Sequence, residues 1–412
     1  MKTVAIVDAY ASSRRLAPHF RDAGFSCVRV QSGPEVPAVY RSPFSLDDYA
    51  ANIVHSGSLE ETLGELAAWQ PVAVVPASES GVELADTLSE RLGLPTNGTR
   101  LSAARRDKYA MIEAVGAAGL RTATQLLIES KEQLRRWHEE IGGRIVVKPV
   151  RSAANDGVRF CDSPEESAAA YEEILGKENI FSERNDAVVA QEYLFGTEYF
   201  LNTVSQAGRM HVCDIWRTVR VEVNGVPDLL AGFYIIPFEG AVQEELVSYA
   251  SAVLDALGIQ VGLAHIEIKM TPDGPCLIEV GARMGGADSP YYAELATGES
   301  QLNWDVDAYT NPERFNARCA EPYRIREHFA SVVMMSPTKG VLRSYPFMSK
   351  VEGLESLHDI RAAVEPGDPI TYSVDDLTSP MTVNLRHRSE GIVMRDMSTL
   401  RYLDGPAFYD VE

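Results

Sequence analysis

The first hundred residues alternate between short apolar runs and amphipathic segments, and this alternation restricts the fold more than any other feature of the chain. TVAIVD (residues 3–8), SCVRVQ (26–31) and PVAVVPAS (71–78) read as strands. SSRRLAPHFRDAG, SLEETLGELAAW and ESGVELADTLSERLG read as helices. Strands separated by helices pair in parallel, with the helices covering the faces of the sheet. No GxGxxG follows the first strand, so a dinucleotide site has no support. The loop PASESG leaves a strand end, where open α/β sheets bind ligands. Glu79 and Ser80 are therefore candidates for substrate contact, although helix capping by Ser78 or Ser80 accounts for the same residues.

Beyond residue 120 the pattern changes. TATQLLI, RIVVKPV and GVRFCD read as strands, and KEQLRRWHEEIG and SPEESAAAYEEIL as helices. The second helix carries Ser163 before it and Pro164 in its first turn, a good N-terminal signature. From VVAQEYL to about Tyr323 strands are expected to dominate, with one long helix at QEELVSYASAVLDALG. The residues from HFASVVMM onward are mixed and rich in strands.

One stretch, AHIEIKMTPDGPCLIEVGARMGG (264–286), carries carboxylates in runs that otherwise read as buried strand. His265, Glu267 and Lys269 share one face, and Ile266, Ile268 and Met270 the other. TPDGP is a run of turn residues, so the stretch reads as a hairpin. With the turn centred on Asp273, Lys269 faces Leu277 and Glu267 faces Glu279. Like charges directly opposite destabilise a strand pair. A hard divalent cation offsets them; so does a solvated surface with Lys269 neutralising one glutamate.

Composition narrows the function. At 412 residues the chain is long enough for two or three domains, and 45% hydrophobic with 24% charged residues is usual for a soluble globular protein. The net charge of -21 argues against a general nucleic-acid binder and against affinity for anionic membranes. An anionic ligand needs a local basic pocket. Five scattered cysteines without CxxC spacing fit a reducing, cytoplasmic compartment. The N-terminal apolar run is too short for a signal peptide, and no run reaches membrane-spanning length.

Lys148 ends the apolar strand RIVVKPV and is followed by RSAANDGV, a loop of small residues that lets backbone N–H groups approach phosphate oxygens. No GxxxxGK[ST] loop exists, which excludes a P-loop enzyme. The order Lys108, Lys148-Pro149, small-residue loop, QEYL, GTEY, IEIK, IEV and Arg283 resembles the ATP-grasp superfamily over nearly the whole chain. The resemblance implies an α/β and α+β fold. Its parts are a Rossmann-like pre-domain (1–105), an ATP-grasp domain (106–325, lid about 120–190) and a strand-rich C-terminal lobe (326–412). By the same resemblance Lys108, Lys148 and Ser152 hold nucleotide phosphates. Gln191, Glu192 and Leu194 line the adenine pocket, and Glu198 accepts hydrogen bonds from the ribose. Glu267 and Glu279 bind Mg2+, with Mn2+ as a substitute, and Arg283 contacts the transferred phosphate. Two departures stand out. Gly281 replaces an Asn common two residues after the second metal glutamate. Ala153 and Ala154 stand in a loop that is usually richer in Gly, and Ala tolerates positive φ poorly.

EYFLNTVSQAGRMHVCDIWR and SPTKGVLRSYP resemble the L-amino-acid ligases of dipeptide and peptide-antibiotic pathways. The implied reaction is ATP-dependent joining of a carboxylate to an amine through an acyl phosphate, giving ADP and phosphate. The implied partners are small amino-acid, carboxylate and amine substrates, and a second copy of the chain in a homodimer. An ATP-grasp carboxylase or kinase is the alternative. In DIWRTVRV, Trp216 and Arg217 either meet a substrate carboxylate through the arginine or belong to an exposed basic strand. His265 lines the site or is structural. Asp288 meets the amine substrate or serves a turn.

Overall fold

Residues 3–91 fold as the alternation requires. In this computed structural model, which describes residues 1–40 and 45–412, β1 (Thr3–Val7), β2 (Ser26–Gln31), β3 (Ala51–Val54) and β4 (Pro71–Pro76) form a sheet in the order β3-β2-β1-β4. Every pairing in it is parallel. The segment includes helices α1 (Leu16–Asp22), α2 (Leu59–Ala67) and α3 (Val82–Arg91). β1 is buried along its whole length, as a central strand covered on both faces must be. β3 is not evident in the sequence: it has four residues, of which only Ile53 is buried.

After α4 (Lys108–Ala117), a second sheet contains β5 (Gln125–Leu127), β6 (Ile145–Pro149), β7 (Arg159–Cys161) and β8 (Val188–Glu192), antiparallel in the order β5-β8-β6-β7. Helices α5 (Lys131–Ile141) and α6 (Pro164–Ile174) pack with it around Leu134, Ile145, Val147 and Ile174. α6 starts as its sequence predicts, with Ser163 Oγ accepting from Glu166 N–H (3.2 Å).

The third unit begins with β9 (Thr197–Gln206), β10 (Arg209–Val223), β11 (Val226–Ile235), α7 (Ala241–Ala256), β12 (Gly262–Thr271) and β13 (Gly274–Gly281). Helices α8 (Ser289–Thr297), α9 (Gln301–Thr310) and α10 (Pro312–Arg318) follow. The chain then runs through β14 (His328–Met334), β15 (Gly340–Ser344), α11 (Met348–Glu352), β16 (Leu357–Ala362), β17 (Pro369–Ile370), β18 (Met381–His387), α12 (Glu390–Leu403) and β19 (Asp410–Val411). Eight strands form one sheet, β13-β12-β9-β10-β11-β14-β18-β16, which crosses residue 326 without a break because β14 pairs with β11. β17, β15 and β19 make a small sheet of their own.

Two local expectations are corrected. Residues 289–318 form three helices where strands and a single long helix were expected before Tyr323. Their signals are local ones: Pro290 opens α8, Gly298 closes it at φ 94, and Ser300 and Asn303 form a capping box on α9. The hairpin turn is also one residue tighter than expected. Thr271 pairs with Gly274, so Lys269 faces Cys276 rather than Leu277. A bulge at Ile278 then restores the expected register, and Glu267 faces Glu279. The apolar face of β12 is the one that anchors it. Ile266 and Ile268 are fully buried against the core that contains α4 and α7, each contributing roughly 1.5–3 kcal/mol.

Candidate active site

A cavity of about 1000 Å³ lies where these units meet. Its walls come from the loop after β1, the end of β6 and the loop beyond it, the end of β8, one face of β9, β10, β12 and β13, and the C-terminal strands β16 and β18. The strand break before β9 shapes one rim. Gly196 rests on the β12 backbone, where an added Cβ would lie 2.2 Å from Met270 O, so no side chain fits.

Most of the residues picked out in the sequence converge here. Lys108, Lys148, Ser152, Glu267, Glu279 and Arg283 all line the cavity. Lys108 Nζ bridges Ser152 O (2.6 Å) and Glu279 Oε1 (2.9 Å), tying α4 to the loop after β6 and to β13. Ser152 Oγ donates to Asp156 Oδ2 (2.7 Å). In that loop Ala154 itself adopts a left-handed conformation (φ 56), followed by Asn155 (φ 58), so the substitution of Ala for Gly is carried as backbone strain. Lys148 is buried, and its Nζ makes no hydrogen bond or ion pair among the described residues. Burial and the charge of Lys108 push its pKa down to about 8, against the pull of Glu279, Glu267 and Glu198.

Across the cavity, His265 Nε2 lies 3.3 Å from Glu267 Oε1. Burial works to raise the Glu267 pKa, but His265 and the guanidiniums of Arg220 and Arg283 outweigh it and hold the carboxyl well below its ordinary range. His265 Nδ1 bonds Asn202 Oδ1 (2.8 Å), and Asn202 Nδ2 donates to Asp214 Oδ1 (2.6 Å). Burial pushes Asp214 up to about 8 although Trp216 and Asn202 both donate to it. His265 thus does both things the sequence left open: it lines the cavity and is held by a buried network.

Gln191, Glu192 and Leu194 line the end of the cavity beside β8. Glu192 N–H is engaged by Thr124 O (2.9 Å) and Gln191 Nε2 by Gln125 Oε1 (3.1 Å). Glu198 is buried and paired with Arg220, a partner that sequence reasoning did not connect to it. Lys269 does not neutralise a hairpin glutamate; its Nζ pairs with Asp228 Oδ2 (2.5 Å) over the ring of Tyr193.

Five other candidates sort differently. Glu79 is buried on the cavity wall, accepting from Arg283 Nε (3.0 Å) with Arg106 Nη1 at 3.3 Å. Both guanidiniums, with Lys108, hold its carboxyl below the usual range despite burial. Asp288 also lies on the wall, surrounded by three arginines. Ser80 is displaced from the site because its Oγ donates to Asp8 Oδ2 (2.6 Å). Trp216 is a core residue, fully buried against Phe200 and Phe233 with Nε1 donating to Asp214 Oδ1 (2.6 Å). Arg217 alternates to the opposite, exposed face. Neither Trp216 nor Arg217 reaches the cavity, and the arginine of that strand that does is Arg220.

The donor set fits nucleotide and magnesium. Among the described residues no cluster of three or more His, Cys, Asp or Glu forms a closed metal site. Two facing carboxylates open to a cavity suit Mg2+, which takes one or two protein carboxylates and completes its shell with water and phosphate. A buried, unpartnered ammonium beside them calls for an anion. Lys148, Glu267 and Glu279 provide that combination.

Residues 141–290 match the model of the ATP-grasp domain. The chain is 30% identical to dapdiamide A synthase of Enterobacter agglomerans over 99% of its own length and 97% of the relative's. It is 26% identical to alanine–anticapsin ligase of Bacillus subtilis over 48% of this chain and 45% of that one. The crystal structure of an L-amino acid ligase from Bacillus licheniformis superposes with a TM-score of 0.76 and 18% identity, covering 100% of this chain and 99% of that one. The chain belongs to the ATP-grasp amino-acid ligases. It is an ATP-dependent enzyme that forms C–N bonds, with ATP and Mg2+ as the family's requirements and small molecules as substrates. No helix among the described residues is long and apolar enough to cross a membrane.

Proposed function

We propose that the enzyme activates the carboxylate of an L-amino acid with ATP and transfers the acyl group to the amine of a second amino acid, as a step in building a peptide-like natural product. A donor carboxylate oxygen attacks the γ-phosphorus, ADP leaves, and an acyl phosphate forms. The acceptor amine then attacks the acyl carbon, phosphate departs and the amine loses a proton. The observation that carries this reading is the buried, unpartnered Lys148 facing Glu267 and Glu279 in one cavity.

Lys148 and Lys108 bind phosphate oxygens, Ser152 and its loop cover them, and Arg283 neutralises charge on the transferred phosphoryl group. Gln191, Glu192 and Leu194 hold the adenine, and Glu198, oriented by Arg220, the ribose. Mg2+ held by Glu267 and Glu279 supplies charge neutralisation on the phosphates. Glu79 draws Arg283 to the pre-domain side of the cavity and serves as a positioning residue. Cytoplasmic location and a homodimer complete the proposal; size-exclusion chromatography with light scattering tests the latter.

The test is purified protein with ATP, Mg2+ and an amino-acid panel, resolved by chromatography and mass spectrometry. Amino-acid-dependent ADP and phosphate with an amide product are expected. Glu279→Gln keeps the side-chain size and is expected to cut turnover by about a hundredfold or more with the circular dichroism spectrum unchanged. AMP and pyrophosphate as products would refute the mechanism.

A further inference from the structure

One polar cluster on the cavity wall takes no part in the phosphoryl chemistry. Arg361 Nη1 donates to Asp288 Oδ2 (2.8 Å), Arg14 Nη2 to the same oxygen (3.4 Å), and Arg15 Nε lies 3.7 Å from Asp288 Oδ1. The second carboxylate nearby is Asp359, 3.7 Å from Arg361 Nε. Three guanidiniums thus converge on one buried carboxylate, Asp288, with Asp359 beside Arg361 and Glu294 near Arg15.

The cluster is built from three distant segments: the loop after β1, the loop between Arg283 and α8, and the end of β16. Asp288 is 5% exposed, whereas Arg14 and Arg361 are 36% and 43% exposed and line the cavity. All three line the cavity and the bases are the more exposed, so the guanidiniums face the ligand. Arg361 Nη2 makes no hydrogen bond among the described residues, and its guanidinium lies 5.2 Å over the Tyr292 ring. Ala287 and Asp288 are consecutive left-handed residues, each at φ 53. Non-glycine residues hold that conformation only where the surroundings enforce it, a frequent mark of ligand sites.

The other cations on the cavity wall are committed. Lys108 pairs with Glu279, Lys269 with Asp228, Arg220 with Glu198 and Arg283 with Glu79. Lys148 stands at the phosphate end. Joining two amino acids consumes the donor's carboxylate but leaves the acceptor's untouched, and that anion needs a partner through both steps. Arginine forks match carboxylates in two parallel hydrogen bonds.

We propose that Arg361 and Arg14, positioned by Asp288, bind the free α-carboxylate of the acceptor amino acid and so restrict the acceptor to α-amino acids rather than simple amines or amino amides. The inference rests on the ligase reading above and assigns the acceptor end of the same cavity.

The experiment compares each of the twenty common amino acids with its carboxamide, at a fixed donor, in wild type, Arg361→Gln, Arg14→Gln and Arg361→Lys. In wild type the acid is expected to have a KM at least tenfold below that of its amide. In both Gln variants that preference collapses, with the KM for ATP unchanged; Arg361→Lys restores it in part. Equal effects on acid and amide, or a preference retained in both Gln variants, would overturn the proposal and leave the cluster as a strut between segments. Calorimetric binding of the same pairs with ADP and Mg2+ present needs no turnover. Carboxylate-selective binding that Arg361→Gln removes, in an enzyme that makes no amide, would sink the ligase reading and keep the subsite. Equal binding of acid and amide would sink the subsite alone.

Discussion

Lys148 is held charged at a measurable expense, and replacing it tests that. Its ammonium is buried beside Lys108 and has no partner among the described residues, and its pKa falls from 10.5 to about 8. At about 1.4 kcal/mol per pH unit, that interval amounts to about 3 kcal/mol. The sign follows from linkage. The folded state disfavours the protonated lysine, so the destabilisation is complete below about pH 8 and fades as the pH rises toward 10.5, where the unfolded chain also loses its proton. Lys148→Met keeps the apolar stem and removes the charge. The variant is expected to be inactive, and more stable than wild type by up to about 3 kcal/mol at pH 7, with the gap narrowing above pH 8. Urea unfolding followed by circular dichroism across pH 7 to 10 reads this directly. ATP gives the converse signal: its phosphates return Lys148 to full charge, so binding at pH 8 takes up about half a proton. Calorimetry in buffers of different ionisation enthalpy counts it. A Met variant no more stable than wild type at pH 7, or a binding heat independent of buffer at pH 8, would refute the reasoning.

Two further perturbations probe the packing around the site. In Gly281→Asn the new Cβ would lie 2.9 Å from Arg283 Cζ. The Arg283 guanidinium must shift, which loosens its bond to Glu79 and is expected to lower stability by up to about 1 kcal/mol, with a fall in kcat; thermal unfolding and kcat that both match wild type would contradict this. Asp214, pushed up to about 8 with Oδ2 unpartnered, stays protonated in the folded state while the unfolded chain ionises near pH 4. Wild type should therefore lose stability relative to Asp214→Asn between about pH 4 and 8, and parallel pH–stability curves for the two would rule the account out.

What the sequence could carry was local. Alternation gave the parallel sheet, and period-two patterning with a turn run gave the hairpin and its facing glutamates. The extra residue at Ile278 was invisible because a two-residue turn plus a bulge and a longer turn without one leave Glu267 and Glu279 in the same register. Helices α8 to α10 were legible through Pro290, Gly298 and the Ser300–Asn303 box, but the strand-rich surroundings overrode those signals. Trp216 and Arg217 misled because a side chain's face is set by burial against neighbouring strands, which alternation alone does not assign. The pairings Arg220–Glu198 and Arg361–Asp288 span 22 and 73 residues and arise only when the sheet closes.

The eight-stranded sheet has a consequence for how the enzyme measures its substrates. Glu279 lies on one outermost strand and Arg361 on the other, seven inter-strand spacings apart, roughly 34 Å along a flat sheet. Both border one cavity of about 1000 Å³, so that cavity runs across the sheet from one margin toward the other. The separation of Glu279 from Arg361 is then a property of the whole sheet, shared by all eight strands. A substitution deep in β10 or β11 that altered the twist of the sheet by a few degrees would change that separation without touching either residue.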